Sequence, residues 1–360
     1  MQRLQNLRNK LLPDGPDGLL IGSSPNRRYL SGFRGSAGWL LITSSEALLA
    51  VDFRYVEQAR QEATNFEILH ISGGLPAWLP GLISKLRISR LGIEADHLSY
   101  STYQAISRLS KTAAPSFKLL PLKNVVESLR MVKDKAELAA VEKACKIADD
   151  AIQDLALRLE AGVSEKQVAW NLECLLRQQG SETLPFEIIV ASGPNAALPH
   201  AQPSDRLIGD GETVIMDFGA RCGGYCSDMT RTFMIGEQTE KFNTVYNIVL
   251  GAQMTALSIL EKGMSGRSAD ALARGMIENA GYGEFFGHGL GHGVGLETHE
   301  LPRIGGLSDD ILQDDMAFTV EPGIYLPGWG GVRIEDTVTI TDGKLRTLTH
   351  ASKNARILGR

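Results

Sequence analysis

Residues 213–233 read TVIMDFGARCGGYCSDMTRTF, and they open the region, 214–340, around which the rest of the chain is organised. An apolar run ends at Asp217, two adjacent glycines signal a hairpin, and Asp228 begins a second run. This pattern predicts strands joined by a tight turn. Carboxylates on such strands are expensive to bury, so their positions need a chemical explanation.

Three further polar residues lie in short, unusual segments of the same region. They are His292 in GHGLGHGVGLE (287–297), Glu321 in EPGIY (321–325) and Glu335 in VRIEDTV (332–338). Four converging carboxylates would repel one another unless protons or cations lay between them. Two divalent cations would balance four carboxylates, and oxygen ligands with one imidazole suit Mn²⁺, Co²⁺, Fe²⁺ or Zn²⁺. The five residues together predict a two-metal hydrolytic centre, although any one acid alone is more simply a solvated or capping carboxylate.

The composition excludes several classes of protein. The 360 residues are 43% hydrophobic and 22% charged, and the net charge of -5 shows no block of one sign, so no nucleic-acid partner is expected. Residues 1–12 are polar and basic, so they do not predict a signal peptide, and no run reaches membrane-spanning length. Four cysteines are too few for a disulfide framework and predict reduced thiols and a cytoplasmic location.

Two domains are expected, 1–124 and 125–360. In the first, short apolar strands alternate with helical patterns, which predicts an α/β domain with a mixed or parallel sheet. No Gly-x-Gly-x-x-Gly follows its first strand, so a dinucleotide site is not expected. Residues 23–26 predict a turn, and the glycine-rich stretch 32–38 predicts a surface loop or, alternatively, a wall of the active-site cleft.

The second domain follows a linker at 123–134. Capping patterns at Asp134 and Ser164 each predict the start of a helix before the aspartate strands. Two more helical patterns separate those strands from the histidine segment. No internal repeat is visible in the sequence.

Four of the seven histidines, His200, His288, His292 and His299, fall within one hundred residues. A lone histidine is more often structural, but four beside one acidic cluster favour function. His288 and His292 have the i, i+4 spacing of a helical zinc motif, yet Gly289 stands where that motif requires glutamate. The alternating glycines around them disfavour a helix and predict that the backbone passes close to the site.

These segments, taken in order, resemble the metallopeptidase family with the "pita-bread" fold. The motifs are DFG at 217–219, SDMTRT at 227–232, GHGLGHGVGLE at 287–297, EPG at 321–323 and RIED at 333–336. Within that family they are most similar to the Xaa-Pro peptidases, prolidase and aminopeptidase P. The resemblance covers roughly residues 126–360 in motif order and spacing. It implies an N-terminal α/β, creatinase-like domain followed by a C-terminal α+β pita-bread catalytic domain.

The resemblance also implies the metal ligands. Asp228 and Glu335 would bridge two divalent ions, Mn²⁺ in the first place or else Co²⁺ or Zn²⁺. Asp217 would bind one ion, and His292 and Glu321 the other. Water held between the ions would be the nucleophile.

Roles toward the substrate follow from the same resemblance. Glu321 would act as general base, and His299 and His200 would contact the scissile carbonyl and stabilise the oxyanion. His288 would line the pocket, and a purely structural role is more expected for it than for His200 or His299. Arg303 resembles the arginine that binds the proline carboxylate in prolidases, and a solvated loop arginine is the equal alternative.

The activity implied is that of a metal-dependent Xaa-Pro peptidase, a hydrolase acting on small peptides with proline at the second position. Arg303 favours a dipeptidase slightly over aminopeptidase P, and a homodimer is expected. Three other members of the fold are alternatives. The N-terminal domain argues against a methionine aminopeptidase, the complete ligand set against a metal-free creatinase-like enzyme, and the intact ligands against a non-catalytic binding protein.

Overall fold

The computed structural model of the chain describes residues 2–11, 15–113, 117–354 and 356–357. It divides into two units, Met1–Arg130 and Met131–Arg360. Residues 125–130, which the sequence analysis places in the second domain, belong to the first unit here. The division therefore falls six residues beyond the boundary expected after residue 124.

A six-stranded sheet forms the first unit. Its strands are β1 (Gly18–Ile21), β2 (Trp39–Thr43), β3 (Ala47–Val51), β4 (Glu67–His70), β5 (Arg90–Glu94) and β6 (Lys118–Leu122). They lie in the order β4-β3-β2-β1-β5-β6. Strand β1 pairs antiparallel with β2 and parallel with β5, which confirms the mixed α/β sheet. All four residues of β1 are buried, as expected for a central strand covered on both faces.

Six helices accompany this sheet. They are α1 (Gln2–Leu11), α2 (Ser24–Ser31), α3 (Val56–Glu62), α4 (Leu75–Lys85), α5 (Tyr100–Ala113) and α6 (Glu127–Arg130). The turn predicted at 23–26 is wrong, because these residues begin α2. Pro25 stands in the first turn, where a helix does not need its missing N–H. Gly32, with φ at 81°, ends the helix in the left-handed conformation.

The second unit contains four longer helices and two short 3₁₀ turns. The helices are α7 (Lys135–Ala156), α8 (Glu165–Gln178), α9 (Glu240–Ile259) and α10 (Gly266–Asn279), and the turns span Gly193–Ala197 and Gly283–Phe285. Asp134 and Glu137 form the predicted capping box at the start of α7. At the start of α8, the Ser164 side chain accepts a hydrogen bond from the backbone N–H of Gln167. No helix among the residues that the structure describes is long and apolar enough to cross a membrane.

Thirteen strands of the second unit are described. They are β7 (Ile189–Ser192), β8 (Thr213–Phe218), β9 (Arg221–Cys222), β10 (Tyr225–Cys226), β11 (Met229–Ile235), β12 (Gly291–Gly293), β13 (Glu300–Ile304), β14 (Ala317–Val320), β15 (Gly323–Leu326), β16 (Gly330–Arg333), β17 (Asp336–Thr341), β18 (Lys344–Thr347) and β19 (Arg356–Ile357). One sheet has the order β19-β11-β8-β7, and another has the order β13-β12-β14-β17-β18. Two-stranded pairs, β9 with β10 and β15 with β16, complete the unit. The hairpin predicted from the glycines between the aspartate strands is the β9–β10 pair.

The second unit is built from two similar halves. In the first half, α7 and α8 pack on β7, β8 and β11 in one apolar core. In the second half, α9 and α10 pack on β14 and β17 in another. The second helix of each half begins next to a serine that forms an isolated bridge, Ser164 with Leu207 and Ser265 with Ile311. Each half therefore packs two consecutive helices against strands in a core of its own.

Candidate functional site

A cavity of about 370 Å³ in the second unit gathers most of the candidate residues. Eight of the nine residues singled out from the sequence line it: Asp217, Asp228, His292, Glu321, Glu335, His200, His288 and His299. They come from both halves of the unit, which is why they lie far apart in the chain. All five predicted metal ligands are among these lining residues.

Strands place these five side chains. Asp217 lies on β8 and His292 on β12, whereas Asp228 directly precedes β11, Glu321 directly follows β14 and Glu335 directly precedes β17. The glycines of the histidine segment form strand β12 rather than a helix, as expected. A side chain at Gly291 or Gly293 would clash with the backbone carbonyl of Thr319 or Leu301, so strand packing requires glycine at both positions. Gly289 and Gly291 also line the cavity.

His292 lies among three carboxylates. One ligand atom from each of Asp228, His292 and Glu335 lies within 4.8 Å of the other two. The His292 Nε2 is 3.3 Å from Glu321 Oε1 and 3.7 Å from Asp228 Oδ2. Because its Nδ1 faces the Gly293 carbonyl at 3.1 Å, the ring proton belongs on Nδ1. A neutral ring then turns its Nε2 lone pair toward the carboxylates, an arrangement that a cation between them would stabilise.

Asp217 holds its carboxylate in two different environments. Its Oδ2 accepts a hydrogen bond from Arg333 Nη2 at 2.7 Å. Its Oδ1 is buried and has no hydrogen-bond partner. A buried acceptor without a donor is costly, and a metal ion would satisfy it. The orphaned oxygen therefore fits a cation.

The charges of the cavity are unbalanced. Burial raises the pKa of Asp228 well above its ordinary value, and nearby carboxylates raise it further. Burial, together with the charges of Glu321 and Asp217, also raises the pKa of Glu335. Among the described residues that line the cavity, Arg333 is the one arginine or lysine. Four carboxylates, two of them buried and two half-buried, face one guanidinium and leave a negative excess that divalent cations would neutralise.

Threonines that the sequence analysis did not single out orient two of the acids. Thr230 Oγ1 donates to Glu335 Oε2 at 2.6 Å, and Thr319 Oγ1 donates to Glu321 Oε1 at 3.0 Å. Thr230 also faces Asp217 across the β8–β11 pair. Each hydroxyl fixes one carboxylate oxygen and leaves the second available as a ligand.

Arg333 and Tyr325 also line the cavity, and neither was predicted as a site residue. Arg333 Nη1 donates to the Tyr325 hydroxyl at 2.8 Å, and that hydroxyl lies 2.9 Å from His288 Nε2. The His288 Nδ1 faces the Gly289 carbonyl at 2.8 Å. Both ring nitrogens of His288 are therefore engaged. Arg333 could have been found from the sequence, because it stands two residues before Glu335 and shares its face.

Two histidines stand at the mouth of the cavity. His200 is exposed and follows the 3₁₀ turn Gly193–Ala197. The His299 ring centroid lies 4.3 Å from that of His292. Partial burial lowers the pKa of His299, so its ring is neutral near pH 7 and can donate one N–H.

Arg303 is the one candidate residue that does not line the cavity. It is exposed on β13, and its backbone N–H donates to Asp310 Oδ2 at 2.8 Å. It pairs with His292 across β12 and β13. Directly opposed residues place their side chains on the same face of a sheet, so Arg303 lies beside the site rather than in it.

Asp336 points away from the cavity, as expected for the strand neighbour of Glu335. Its carboxylate binds Arg231 Nη2 at 2.8 Å and Lys353 Nζ at 2.6 Å. Although burial pushes the pKa of Asp336 up, these two cations lower it below the ordinary value. This acid is structural.

A second cavity, of about 650 Å³, lies beside α7 and contains three acids. Glu142 pairs with Arg346, and Asp150 pairs with Lys146. Asp149 accepts backbone N–H groups of residues 350 and 351. All three carboxylates are satisfied, so this cavity lacks the unbalanced charge of the candidate site.

Comparison with known proteins agrees with this geometry. The sequence model of metallopeptidase family M24 matches residues 139–342, and that of the creatinase/prolidase N-terminal domain matches residues 3–132. The chain belongs to metallopeptidase family M24. Membership of this family makes it a hydrolase and implies divalent metal ions, for which the carboxylate and histidine cluster offers a site.

Relatives of this M24 peptidase match it over nearly its whole length. An Xaa-Pro dipeptidase of Pyrococcus furiosus is 37% identical over 358 residues, covering 98% of this chain and 99% of the relative. A solved Xaa-Pro dipeptidase from Bacillus anthracis is 42% identical, with a TM-score of 0.94 and 99% of each chain covered. A solved X-Pro aminopeptidase from Thermotoga maritima is 37% identical, with a TM-score of 0.88 and 98% and 99% covered. The predicted creatinase-like and pita-bread domains are thereby confirmed.

Proposed function

We propose that this M24 peptidase is an Xaa-Pro dipeptidase that uses two divalent metal ions. The observation that carries the proposal is the set of four carboxylates around His292, which a single guanidinium among the described lining residues leaves with a negative excess. The Xaa-Pro dipeptidases among its relatives support the substrate class.

Five residues would hold the ions: Asp217, Asp228, His292, Glu321 and Glu335. Asp228 and Glu335 would be shared between the two ions. Mn²⁺ suits a set of four carboxylates and one imidazole, and Co²⁺ and Zn²⁺ are the alternatives. When bound, such ions lower the pKa of a water molecule and polarise the scissile carbonyl.

Glu321 is the proposed general base. Its carboxylate lines the cavity with Oε1 3.3 Å from His292 Nε2, so it lies where it could accept a proton from water bound at the cluster. Thr319 occupies Oε1 at 3.0 Å and thereby sets the orientation of the group. Glu321 then passes the proton to the leaving proline nitrogen.

His200 and His299 are the proposed donors to the scissile carbonyl oxygen. Both rings line the cavity at its mouth. A neutral imidazole that donates one N–H stabilises the negative charge that develops on that oxygen. Both residues act most strongly in the transition state, so their loss is expected to lower kcat more than it raises KM.

Proline at the second position suits the apolar part of the lining. A bond to proline has no N–H, so a peptidase that binds this donor cannot use it. Phe186, Ile189 and Tyr325 line the cavity and offer an apolar wall to the ring.

The preference for dipeptides rests on Arg303. Its side chain is exposed, shares a sheet face with His292, and has no ion pair among the residues that the structure describes. A guanidinium so placed can bind the carboxylate of the terminal proline bidentately. The second candidate is an Xaa-Pro aminopeptidase acting on longer peptides, favoured by the similarity to the Thermotoga maritima enzyme.

We further propose a cytoplasmic homodimer, as the family resemblance suggests. Light scattering coupled to size-exclusion chromatography tests the dimer directly. A monomer at micromolar concentration would contradict it.

The deciding experiment is a substrate panel after chelation and reloading with Mn²⁺, Co²⁺ or Zn²⁺. Leu-Pro, Leu-Pro-amide, Leu-Pro-Gly and the control Leu-Ala separate the candidates. A dipeptidase hydrolyses Leu-Pro at least about tenfold faster than the amide, since a charged hydrogen bond contributes about 1.5–3 kcal/mol. Arg303→Ala is expected to remove this difference, while Arg267→Ala, a surface arginine paired with Asp309, is the matched control. Equal turnover of Leu-Pro and Leu-Pro-Gly would favour the aminopeptidase, and hydrolysis of Leu-Ala alone would refute both.

A further inference from the structure

A buried carboxylate outside the cavity holds the segment that carries His200. Glu165 is the first residue of α8 and is 0% exposed. It is not among the described residues that line the cavity. A fully buried acid needs hydrogen-bond partners, and among the described residues the Glu165 carboxylate accepts from Ser192, Asn195 and Ser204.

The loop spans residues 193–204, and Glu165 binds both of its ends. At the first end, Glu165 Oε1 accepts from the Ser192 backbone N–H at 2.7 Å and from its hydroxyl at 2.8 Å. At the other end, Oε2 accepts from the Ser204 backbone N–H at 3.0 Å and from its hydroxyl at 2.6 Å. Asn195 Nδ2 lies 3.1 Å from both oxygens. One carboxylate thus joins the two ends of the loop at Ser192 and Ser204, and we call this junction the neck of the loop.

The chain between these ends is held at two further points. Arg333 Nη1 donates to the Pro199 carbonyl at 3.3 Å, next to His200. Gly331 lies so close to the Ala196 carbonyl that a side chain there would clash. The backbone also holds each end, since Ser192 pairs with Val214 across β7 and β8 and the Lys166 N–H donates to the Ser204 carbonyl at 3.1 Å. Glu165 adds the side-chain bonds that join the two ends to each other, and we expect the position of the His200 ring to depend on them.

We propose that Glu165 is the positioning residue for His200. The inference rests on the proposed function, in which His200 donates to the scissile carbonyl. Glutamine at 165 can accept from one end of the loop but must turn its NH₂ group toward the donors at the other end. The neck then opens at one side, and the imidazole moves relative to the carbonyl oxygen. A displacement near 1 Å in a catalytic group reduces the rate by up to about 100-fold.

The experiment compares Glu165→Gln, His200→Ala and the double variant as Mn²⁺-loaded full-length enzymes with Leu-Pro. Glu165→Gln is expected to lower kcat about tenfold and to change KM by less than about twofold. In the His200→Ala background the same change is expected to lower kcat by less than about twofold, because the group that it positions is gone. An equal loss in both backgrounds would overturn the proposal.

Hydrogen–deuterium exchange gives a readout that does not depend on activity. Glu165→Gln is expected to speed exchange of the Ser192 and Ser204 amides about tenfold. The matched control is Glu137→Gln, another buried first-turn glutamate, which binds the Asp134 N–H and the Tyr225 hydroxyl instead. The control should leave both kcat and the exchange of 193–204 within about twofold of wild type. Unchanged loop exchange in Glu165→Gln would overturn the proposal.

If Glu165→Gln folds poorly, a second variant tests the same proposal. Asn195→Ala keeps Glu165 and removes one of its donors, so kcat is expected to fall about threefold, with faster exchange of the loop. Unchanged kcat and exchange would count against the neck as a positioning device. A wild-type protein that does not hydrolyse Leu-Pro would overturn the proposed function, and the exchange measurement would then decide alone whether Glu165 holds the loop.

Discussion

Glu335 and Asp336 are neighbours in sequence, and both are almost completely buried, with exposures of 1% and 0%. Asp336 has two cationic partners, Arg231 and Lys353, and they lower its pKa despite burial. Glu335 has Thr230 as its close donor, and its pKa is raised well above the ordinary value. Both acids are therefore buried, but they differ in the number of positively charged side chains that compensate the carboxylate. The acid with its charge balanced by the chain stabilises the fold, and the acid left unbalanced is free to bind a ligand.

The surroundings of Asp336 show what a fully satisfied acid needs. Besides its two cations, Oδ2 accepts from Gln253 Nε2 at 3.0 Å and Oδ1 accepts from the Thr349 hydroxyl at 2.8 Å. These partners come from α9 and from the segment after β18. Asp336 therefore links β11, α9 and the segment after β18. Its side chain lies on the opposite side of the chain from that of its neighbour Glu335.

The largest expected effect is on catalysis in Glu335→Gln. Losing one of the proposed metal ligands should lower kcat/KM about 10⁴-fold, which corresponds to about 5 kcal/mol. The metal-free variant should be at least as stable as the metal-free wild type in urea, because one charge has left a repulsive cluster. Steady-state kinetics and urea unfolding measure the two halves of this prediction. A marked loss of metal-free stability would contradict it.

The neighbouring change, Asp336→Asn, should have the opposite pattern. It leaves Arg231 buried without its carboxylate, which is expected to lower the free energy of unfolding by about 4 kcal/mol. Urea unfolding of the chelated protein gives this value without interference from metal binding. At temperatures where the variant is folded, its affinity for Mn²⁺ should stay within about tenfold of wild type. If Asp336→Asn were as stable as wild type, the structural role of Asp336 would be wrong.

Chelation should affect the two acids differently. Mn²⁺ at 100 times its dissociation constant should stabilise the wild type by about 2.7 kcal/mol, since only the folded cluster binds it. Thermal unfolding with and without EDTA measures this shift. Glu335→Gln should lose most of it, whereas Asp336→Asn should keep it. An identical shift in both variants would remove the distinction drawn between these acids.

The smallest expected effect is that of Lys353→Met. The Lys353 side chain is 25% exposed, and Arg231 still balances Asp336 after the change. The free energy of unfolding should fall by about 1 kcal/mol. Equilibrium urea unfolding, compared with Lys262→Met at the more exposed Asp314 pair, provides the measure and its control. A loss as large as that in Asp336→Asn would show that Lys353, rather than Arg231, is the dominant partner.

Much of the site could be predicted from sequence because short motifs carry it. Strand periodicity alone puts neighbours such as Glu335 and Asp336 on opposite faces, and in the structure Asp336 faces away from the cavity and binds Arg231. Strand periodicity also puts Arg333 on the same face as Glu335, so the sequence contained a signal for Arg333 as a site residue. Glu165 could not have been found in this way, because its partners at Ser192 and Ser204 lie 27 and 39 residues away and carry no motif.

The errors in the fold have physical causes. Residues 23–26 combine serine, proline and asparagine, which favour turns and helix starts alike. Tertiary contacts decide between them, since Glu94 accepts the backbone N–H groups of Gly22 and Ser23 at the start of α2.

The five proposed metal ligands come from both halves of the second unit. Asp217 and Asp228 belong to the first half, and His292, Glu321 and Glu335 belong to the second half. A metal ion held by residues of both halves would cross-link them, so its removal is expected to loosen the contact between the two halves.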